Sequence, residues 1–237
     1  MSEFWTNKVS PGYYDEVLIE GIKKNSGIQS NWHNITFKKI SKFIELDAEH
    51  LDYACGPGTF IGNYIKSNST GVDISQQQIE YARDKYLDKG VFLTTEEFIF
   101  ENYYEKFDSI TVIGLLEFIE SDRIINLVNK LNLILKPNGI IYLTTPNYRG
   151  LMYFLEKLLN VFGKVNYKNE VVNRFNKNSS MKILKETSFS KIEVKKILNF
   201  GVFFSIINHN VGAKIENIIE KIFNNYFGCI LLIELKK

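Results

Sequence analysis

The stretch EHLDYACGPGTF, residues 49–60, decides the fold of this chain. An apolar run leads directly into a turn that contains Gly56, Pro57 and Gly58, and a helix start follows. In an open parallel sheet, ligands bind beyond the carboxyl ends of the strands, and a helix that begins there presents free N–H groups to an anion. Glycines in such a turn let the backbone approach a ligand that a Cβ atom would repel. The stretch therefore predicts the first strand of an α/β sheet and a turn that holds a nucleotide-like ligand.

Short apolar runs alternate with helical segments after this turn. We predict strands at STGVDIS, VFLTT, FDSITVI, GIIYLTTP, KIEVKKILNF and CILLIELKK, and helices between most of them. Parallel strands need crossover connections of this kind, which are right-handed. The alternation predicts a doubly wound, Rossmann-like α/β sheet behind two N-terminal helices.

The chain is long enough for one domain and offers little room for a second. We divide its 237 residues into N-terminal helices (1–46), a ligand-binding core (47–147), an inserted lid (148–178) and the last part of the sheet (179–237). The alternation breaks after Asn147, and long segments between core elements often carry binding functions, so the insert is interpreted as a lid over a substrate pocket. The alternative is a plain surface excursion.

Composition excludes several classes of function. The 29 basic and 27 acidic residues are spread along the chain, which argues against nucleic acid as the main partner. The start of the chain has no apolar signal core and no run reaches the ~18 residues of a membrane span, so we predict a soluble, cytoplasmic protein. Cys55 and Cys229 lie far apart, which indicates neither a metal site nor a disulfide.

Asp73 is the second candidate ligand contact. It ends the next predicted strand, roughly twenty residues after Asp52, the spacing at which an acidic residue meets a ribose in such folds. A carboxylate accepts hydrogen bonds from two vicinal hydroxyls and repels a 2′-phosphate. Ile61 stands where a dinucleotide fingerprint has its third glycine, and a P-loop is absent from the sequence. The residues thus favour an unphosphorylated ribose and leave the nucleotide open.

Four stretches in register carry a family resemblance: LDYACGPGTF, GVDIS, FDSITVIGLLEFI and LKPNGIIYLTTPN. Together they resemble the motifs of class I S-adenosylmethionine-dependent methyltransferases, and most closely the small-molecule enzymes similar to ubiquinone-biosynthesis O-methyltransferases. The resemblance covers residues 47–147. It implies S-adenosylmethionine as cofactor, an antiparallel last strand, and transfer of a methyl group to a small-molecule acceptor. O-methylation is the first expectation, and N- or C-methylation stays open.

The resemblance also implies roles for individual residues. The turn from Asp52 to Gly58 would cradle the methionine part of the cofactor, Asp73 would hold the ribose, and Ile113 would lie beside the sulfonium. The implied set is Asp52, Ala54, Cys55, Gly56, Gly58, Asp73, Ile74 over the adenine, Glu96 or Glu97 near the adenine amino group, and Ile113. Two positions depart from the family pattern: Ala54 replaces the first glycine of the turn, and Phe118 stands where many relatives have histidine.

A general base and the function class are less well determined. His33 is the candidate base if the acceptor is a hydroxyl, and a plain surface histidine is the alternative. Two segments, residues 150–164 and 199–223, are amphipathic. They are consistent with a peripheral membrane contact or an apolar substrate, and equally with a dimer face or core packing. Rival functions are a non-catalytic nucleoside-binding module and another transferase or a dehydrogenase on the same fold. The sequence leaves the oligomeric state unknown.

Overall fold

The computed structural model describes residues 2–149, 152–153, 156–157 and 169–237. About half of the predicted lid at 148–178, and most of the amphipathic segment at 150–164, lies outside the described residues. The division of the chain into four segments stays a prediction. No helix among the described residues is long and apolar enough to cross a membrane.

The described residues form one seven-stranded sheet. Its strands are β1 (Glu49–Tyr53), β2 (Asn68–Asp73), β3 (Val91–Thr94), β4 (Phe107–Ile113), β5 (Leu135–Pro146), β6 (Lys191–Ile197) and β7 (Ile230–Lys236). The spatial order is β3-β2-β1-β4-β5-β7-β6. Strands β1 to β5 pair in parallel, whereas β7 runs antiparallel to both β5 and β6. The predicted fold class, including the antiparallel last strand, is confirmed.

Helices cover both faces of the sheet. They are α1 (Ser2–Asn7), α2 (Tyr13–Lys24), α3 (Ile28–Ile40), α4 (Thr59–Tyr64), α5 (Gln76–Lys85), α6 (Ser121–Ile134), α7 (Lys177–Leu184) and α8 (His209–Phe223). A 3₁₀ segment, Phe200–Ile206, precedes α8. The helix α8 begins where the Asn208 side chain accepts hydrogen bonds from the backbone N–H groups of Asn210 and Val211, which satisfies two of the free donors at a helix start.

Two apolar clusters fix the central strands. On one face, Leu51 of β1 packs in a cluster with Val128 and Leu131 of α6, and all three are fully buried. On the other, Ile40 of α3 and Phe60 of α4 pack with the strands β5 and β7. Each fully buried apolar side chain of this size contributes about 1.5–3 kcal/mol. The two clusters hold the carboxyl ends of β1 and β4 side by side, where the candidate site lies.

Hydrogen bonds hold the N-terminal segment against α5. Gln78 accepts a hydrogen bond from the Gly12 N–H (3.0 Å) and donates one to the Ser10 carbonyl (3.0 Å). Asp15 of α2 is fully buried and accepts hydrogen bonds from Tyr81 (3.0 Å) and from the ammonium of Lys85. These contacts place α1 and the loop after it over the carboxyl edge of the sheet.

Candidate active site

A cleft of about 760 Å³ opens at the carboxyl edge of β1, β2 and β4. Eight of the predicted site residues line it: His33, Asp52, Ala54, Cys55, Gly56, Asp73, Ile74 and Ile113. The residues that line the cleft do not include Gly58, Glu96 or Glu97. The motif residues thus converge on one cavity although they come from three strands and one helix.

The two glycines of the turn after β1 differ in the free space around their Cα atoms. Gly56 has φ +54°, and a Cβ atom built on it has no atom of the described residues within 4 Å. Gly58 has φ +73°, but a Cβ atom there would lie 2.7 Å from the Phe92 ring. Gly56 is therefore the position where backbone faces empty space that a ligand can fill. The structure packs Gly58 against the Phe92 ring of β3, and the ligand contact predicted at Gly58 stays a prediction.

The carboxylate of Asp73 is hydrogen-bonded to the backbone of this turn. Its Oδ2 accepts a hydrogen bond from the Gly56 N–H (2.8 Å), and its Oδ1 accepts one from the Ser75 N–H (2.9 Å). Burial raises the pKa of Asp73, and the backbone N–H groups counteract that rise. Each carboxylate oxygen has a second lone pair, so the group can also accept from hydroxyls of a ligand. The two bonds fix the orientation of the carboxylate at the cleft.

A buried chain of hydrogen bonds lies behind Asp52. The Thr111 hydroxyl donates to Asp52 Oδ1 (2.7 Å), and His50 Nε2 lies 2.9 Å from the same hydroxyl oxygen. His50 Nδ1 lies 3.0 Å from Ser69 Oγ, and the Ser69 hydroxyl also donates to the Ser67 carbonyl (3.3 Å). The chain thus links Ser69, His50 and Thr111 to Asp52, and buried chains of this kind strengthen each member bond.

Burial sets the charge states of this chain. It raises the pKa of Asp52 to about 7, although the Thr111 hydrogen bond opposes that rise and the nearby Asp73 charge adds to it. It lowers the pKa of His50 to about 3, so the imidazole is neutral near pH 7. Asp52 is 2% exposed, and its residual exposure is toward the cleft that it lines. A positive charge on a bound ligand would stabilise the ionised form of Asp52.

A third buried carboxylate, Glu117, lines the cleft beyond the end of β4. Its Oε2 accepts a hydrogen bond from the Thr145 hydroxyl (3.1 Å), and burial raises its pKa to about 7. Its Oε1 lies 3.7 Å from where a Cβ atom on Gly114 would stand. The described cleft residues thus present four carboxylates, those of Asp52, Asp73, Glu117 and the less buried Glu156, against a single arginine, Arg123. This donor set fits a ligand that carries positive charge.

Three buried hydroxyls in the cleft have no hydrogen-bond partner in the described structure. They are Thr36 Oγ1 of α3, Thr59 Oγ1 of α4 and Ser75 Oγ at the start of α5. Buried polar groups are almost always paired, because an unpaired one costs about 1–3 kcal/mol. Their position in the cleft indicates that polar atoms of a bound ligand form hydrogen bonds with these hydroxyls.

His33 lies on the α3 wall of the cleft, among aromatic rings. Its imidazole centroid is 5.8 Å from the Tyr14 ring and 5.6 Å from the Phe37 ring. Burial lowers its pKa to about 4, so the ring is neutral above pH 5. The structure therefore places the predicted base at the cleft but makes it a weak one. Tyr13, which precedes Tyr14 on α2, packs in the N-terminal apolar cluster with Phe4 and Val9.

Glu96 and Glu97, predicted near the adenine, lie on the exposed side of the loop after β3. The Glu97 carboxylate accepts hydrogen bonds from the Arg83 guanidinium (2.6 Å) and from the Thr94 N–H (2.7 Å). These bonds lower the pKa of Glu97. The cleft is lined in this loop by Thr95. The local turn and an ion pair account for the position of Glu97, and the adenine contact of Glu96 or Glu97 stays a prediction.

Aromatic side chains close the far end of the cleft. The Trp5 ring of α1 contacts the Phe118 ring edge-on, with centroids 4.9 Å apart. Trp32, Tyr148 and Met152 line the same end, and Trp32 and Tyr148 pack against Met152. The cleft thus has a polar, acidic end at the glycine turn and an apolar end under the N-terminal segment.

Sequence reasoning missed three polar residues of the site: Thr111, Ser75 and Glu117. Thr111 and Ser75 occur in ordinary strand and helix-start positions, which give no sign of a role. Glu117 did carry a weak signal, since it follows the strand that ends at Ile113, where parallel strands present functional groups.

Comparison with known proteins gives one family and a consistent fold. A family model described as a methyltransferase domain matches residues 30–194. The ubiquinone biosynthesis O-methyltransferase of Histophilus somni is 29% identical over 130 residues, which cover 51% of this chain and 50% of that protein. The uncharacterized protein RP028 of Rickettsia prowazekii is 35% identical over 108 residues, covering 41% and 42%. The chain spans about half the length of the relatives that it matches.

Solved structures share the fold at low sequence identity. A SAM-dependent methyltransferase from Archaeoglobus fulgidus superposes with a TM-score of 0.59 at 17% identity, over 86% of this chain and 94% of that one. Magnesium protoporphyrin IX methyltransferase from Synechocystis with bound SAH gives 0.56 at 13% identity, over 94% and 97%. These likenesses extend the shared architecture over nearly the whole chain.

Proposed function

The chain belongs to the methyltransferase-domain family, in its class I S-adenosylmethionine-dependent form, and on that premise we propose that it transfers a methyl group from this cofactor to a hydroxyl of a small molecule. One observation carries the proposal: three buried carboxylates converge on the cleft where the Gly56 backbone is open. S-adenosylmethionine bears a sulfonium and an ammonium group, so its net positive charge matches that acidic surface.

Different residues at the polar end of the cleft would contact different parts of the cofactor. Asp73, held by two backbone N–H groups, would accept from the ribose hydroxyls, and Ile74 beside it would cover the adenine. Asp52 would face the ammonium, with the hydroxyl of Thr59 nearby as a further partner. When bound, the cofactor supplies an electrophilic methyl group, so the protein itself has little covalent chemistry to perform.

The chain's main contribution to the reaction would be to hold the acceptor in line. Near-attack positioning is worth up to about 7–11 kcal/mol in favourable systems. The rings of Trp5, Trp32 and Phe118 form walls that can orient a flat or apolar acceptor and exclude water from it. The name of the Histophilus relative, an O-methyltransferase, supports oxygen as the acceptor atom.

A hydroxyl acceptor must lose its proton, and two cleft residues could take it. Base catalysis is most effective when the pKa of the base lies near the working pH. Glu117, with a pKa of about 7, meets that condition better than His33, with a pKa of about 4. We assign the role of general base to Glu117. His33 is the second candidate for that role, and its neutral ring could also orient the acceptor.

Two measurements test the proposal. Titration calorimetry compares S-adenosylmethionine, S-adenosylhomocysteine and NAD, and preference for NAD would contradict the cofactor assignment. An acceptor screen then follows incorporation of labelled methyl groups. Binding of S-adenosylhomocysteine without methylation of any phenol, catechol or amine in the screen would favour the rival hypothesis of a non-catalytic nucleoside-binding module.

A further inference from the structure

An exposed apolar surface lies on the 3₁₀ segment before α8 and on the outer side of that helix. Ile206, Ile207 and Ile222 are 67%, 74% and 66% exposed. We call this surface the C-terminal face, and it comprises Phe204, Ile206, Ile207, Val211, Lys214, Ile218, Lys221, Ile222 and Phe223. Within α8, the members Val211, Lys214, Ile218 and Ile222 follow one another three or four residues apart along one side of the helix, and Lys221 lies three residues after Ile218. Monomeric soluble proteins rarely expose so continuous an apolar surface.

The acidic and the basic residues of α8 lie on opposite sides of the helix. Its acidic residues turn inward: Glu216 is 1% exposed and accepts a hydrogen bond from Asn199 Nδ2 (3.0 Å), and Glu220 is bonded to the Lys39 ammonium. Lys214 and Lys221 lie on the exposed side, and neither forms an ion pair among the described residues. The outward side of the helix is therefore apolar and cationic.

The C-terminal face adjoins the apolar end of the cleft. Phe203, in the middle of the 3₁₀ segment, packs inward against the cluster of Met152 and Cys229, and Trp32 packs against the same cluster. Both Met152 and Trp32 line the cleft. Its neighbour Phe204 is on the exposed side. One short segment thus separates the proposed acceptor pocket from the exposed surface.

We propose that the C-terminal face docks the protein on the surface of an anionic lipid bilayer. A helix with isoleucines and a phenylalanine on one side, flanked by lysines, lies in the bilayer interface with its apolar side inserted. Each lysine near an anionic surface adds attraction, and this attraction is weakened by salt. Docking in this orientation would place the apolar end of the cleft next to the membrane.

A second copy of the chain is a poorer occupant of this surface. A two-fold dimer buries the same patch of both copies, so Lys214 and Lys221 of each would lie against a face that carries the same two charges. The acidic residues of α8 cannot compensate, because they are turned inward. An anionic bilayer offers both the apolar layer and the opposite charge.

Vesicle sedimentation tests the proposal on the full chain. We expect binding to vesicles of phosphatidylcholine mixed with phosphatidylglycerol and little binding to phosphatidylcholine alone. The double variant Lys214→Gln, Lys221→Gln should bind the mixed vesicles about 30-fold more weakly. The double variant Ile218→Ser, Ile222→Ser should lose about tenfold or more, even at low salt.

A matched control uses exposed residues far from the C-terminal face. Leu87 and Lys89 lie between α5 and β3, and the double variant Leu87→Ser, Lys89→Gln should bind vesicles like the parent protein. Thermal unfolding checks that each variant is folded. Calorimetry with S-adenosylhomocysteine is scored separately, so failure of the cofactor assignment is distinguishable from failure of the membrane proposal.

Three results would overturn the proposal. The first is no binding of the parent protein to mixed vesicles. The second is equal binding by the parent and both face variants. The third is a dimer in light scattering that the isoleucine variant converts to a monomer, because the face would then be the contact between two copies.

Discussion

Asp52 is 2% exposed, and burial raises its pKa to about 7 from an ordinary value of 3.8. The difference corresponds to about 4 kcal/mol of preference for the neutral form in the folded protein. At pH 8 the folded protein without ligand must nevertheless carry this charge in its cleft. Replacing Asp52 by asparagine removes the charge and keeps an oxygen to which Thr111 can donate.

The sign of the effect follows from the direction of the shift. Because the folded-state pKa lies above the unfolded one, the contribution of Asp52 to stability is fully present below about pH 4 and is lost as the pH rises through 7. Asparagine does not titrate. The free energy of unfolding of Asp52→Asn, relative to the parent, should therefore rise by about 3 kcal/mol between pH 5 and pH 8. Affinity for S-adenosylmethionine should fall about 10- to 100-fold, because a hydrogen bond to a charged group is lost.

Urea denaturation at pH 5 and pH 8 measures the stability change, and calorimetry at pH 8 measures the affinity. Asp108→Asn is the matched control, since Asp108 is only partly buried and pairs with Lys136 (2.8 Å), which keeps its pKa low. This control should show no gain in stability at pH 8. The reasoning would be refuted if Asp52→Asn were equally destabilised at both pH values, or bound the cofactor as tightly as the parent.

Three further variants test separate parts of the site. Gly58→Ala should lower the free energy of unfolding by about 2–5 kcal/mol in urea, because the new Cβ atom meets Phe92 at 2.7 Å in a left-handed backbone; an unchanged midpoint would contradict this. His50→Leu leaves the hydroxyls of Ser69 and Thr111 without their ring partner, so we expect a loss of about 2–4 kcal/mol together with weaker cofactor binding in calorimetry, and no effect on either would remove the hydrogen-bond chain from the account. Glu117→Gln should lower kcat about 100-fold or more on any hydroxyl acceptor and abolish the rise of kcat near pH 7, with S-adenosylhomocysteine affinity nearly intact; an unchanged pH profile would shift the base to His33.

Local sequence patterns were sufficient to predict the sheet and the glycine turn. Strands β1 to β5 alternate with helices, and this alternation alone gives a parallel doubly wound order. Asp73 was found by spacing, because one crossover returns the chain to the same edge of the sheet. The antiparallel β7 came from the family resemblance, since periodicity gives no strand direction.

The contacts that the sequence did not predict are contacts between distant residues. The pairing of Glu97 with Arg83 and the packing of Gly58 against Phe92 both depend on how α5 and β3 lie beside the turn. The local pattern of a glycine-rich loop is the same whether a glycine faces a ligand or a ring. Glu117 was overlooked because its partner Thr145 is 28 residues away, on the next strand.

Gly56 offers the most direct test of the central claim, that the open backbone of this turn and Asp73 hold the adenosine cofactor. The measurement is calorimetric titration of S-adenosylhomocysteine into the full chain and into Gly56→Ala. A Cβ atom at Gly56 meets no atom of the described protein, so the variant should lose only about 1–2 kcal/mol of stability from its left-handed backbone. We predict that the parent binds and that the variant binds at least about 100-fold more weakly, since the Cβ atom occupies space that the ligand needs. Equal affinity for the two proteins, or no binding by the parent, would contradict the claim.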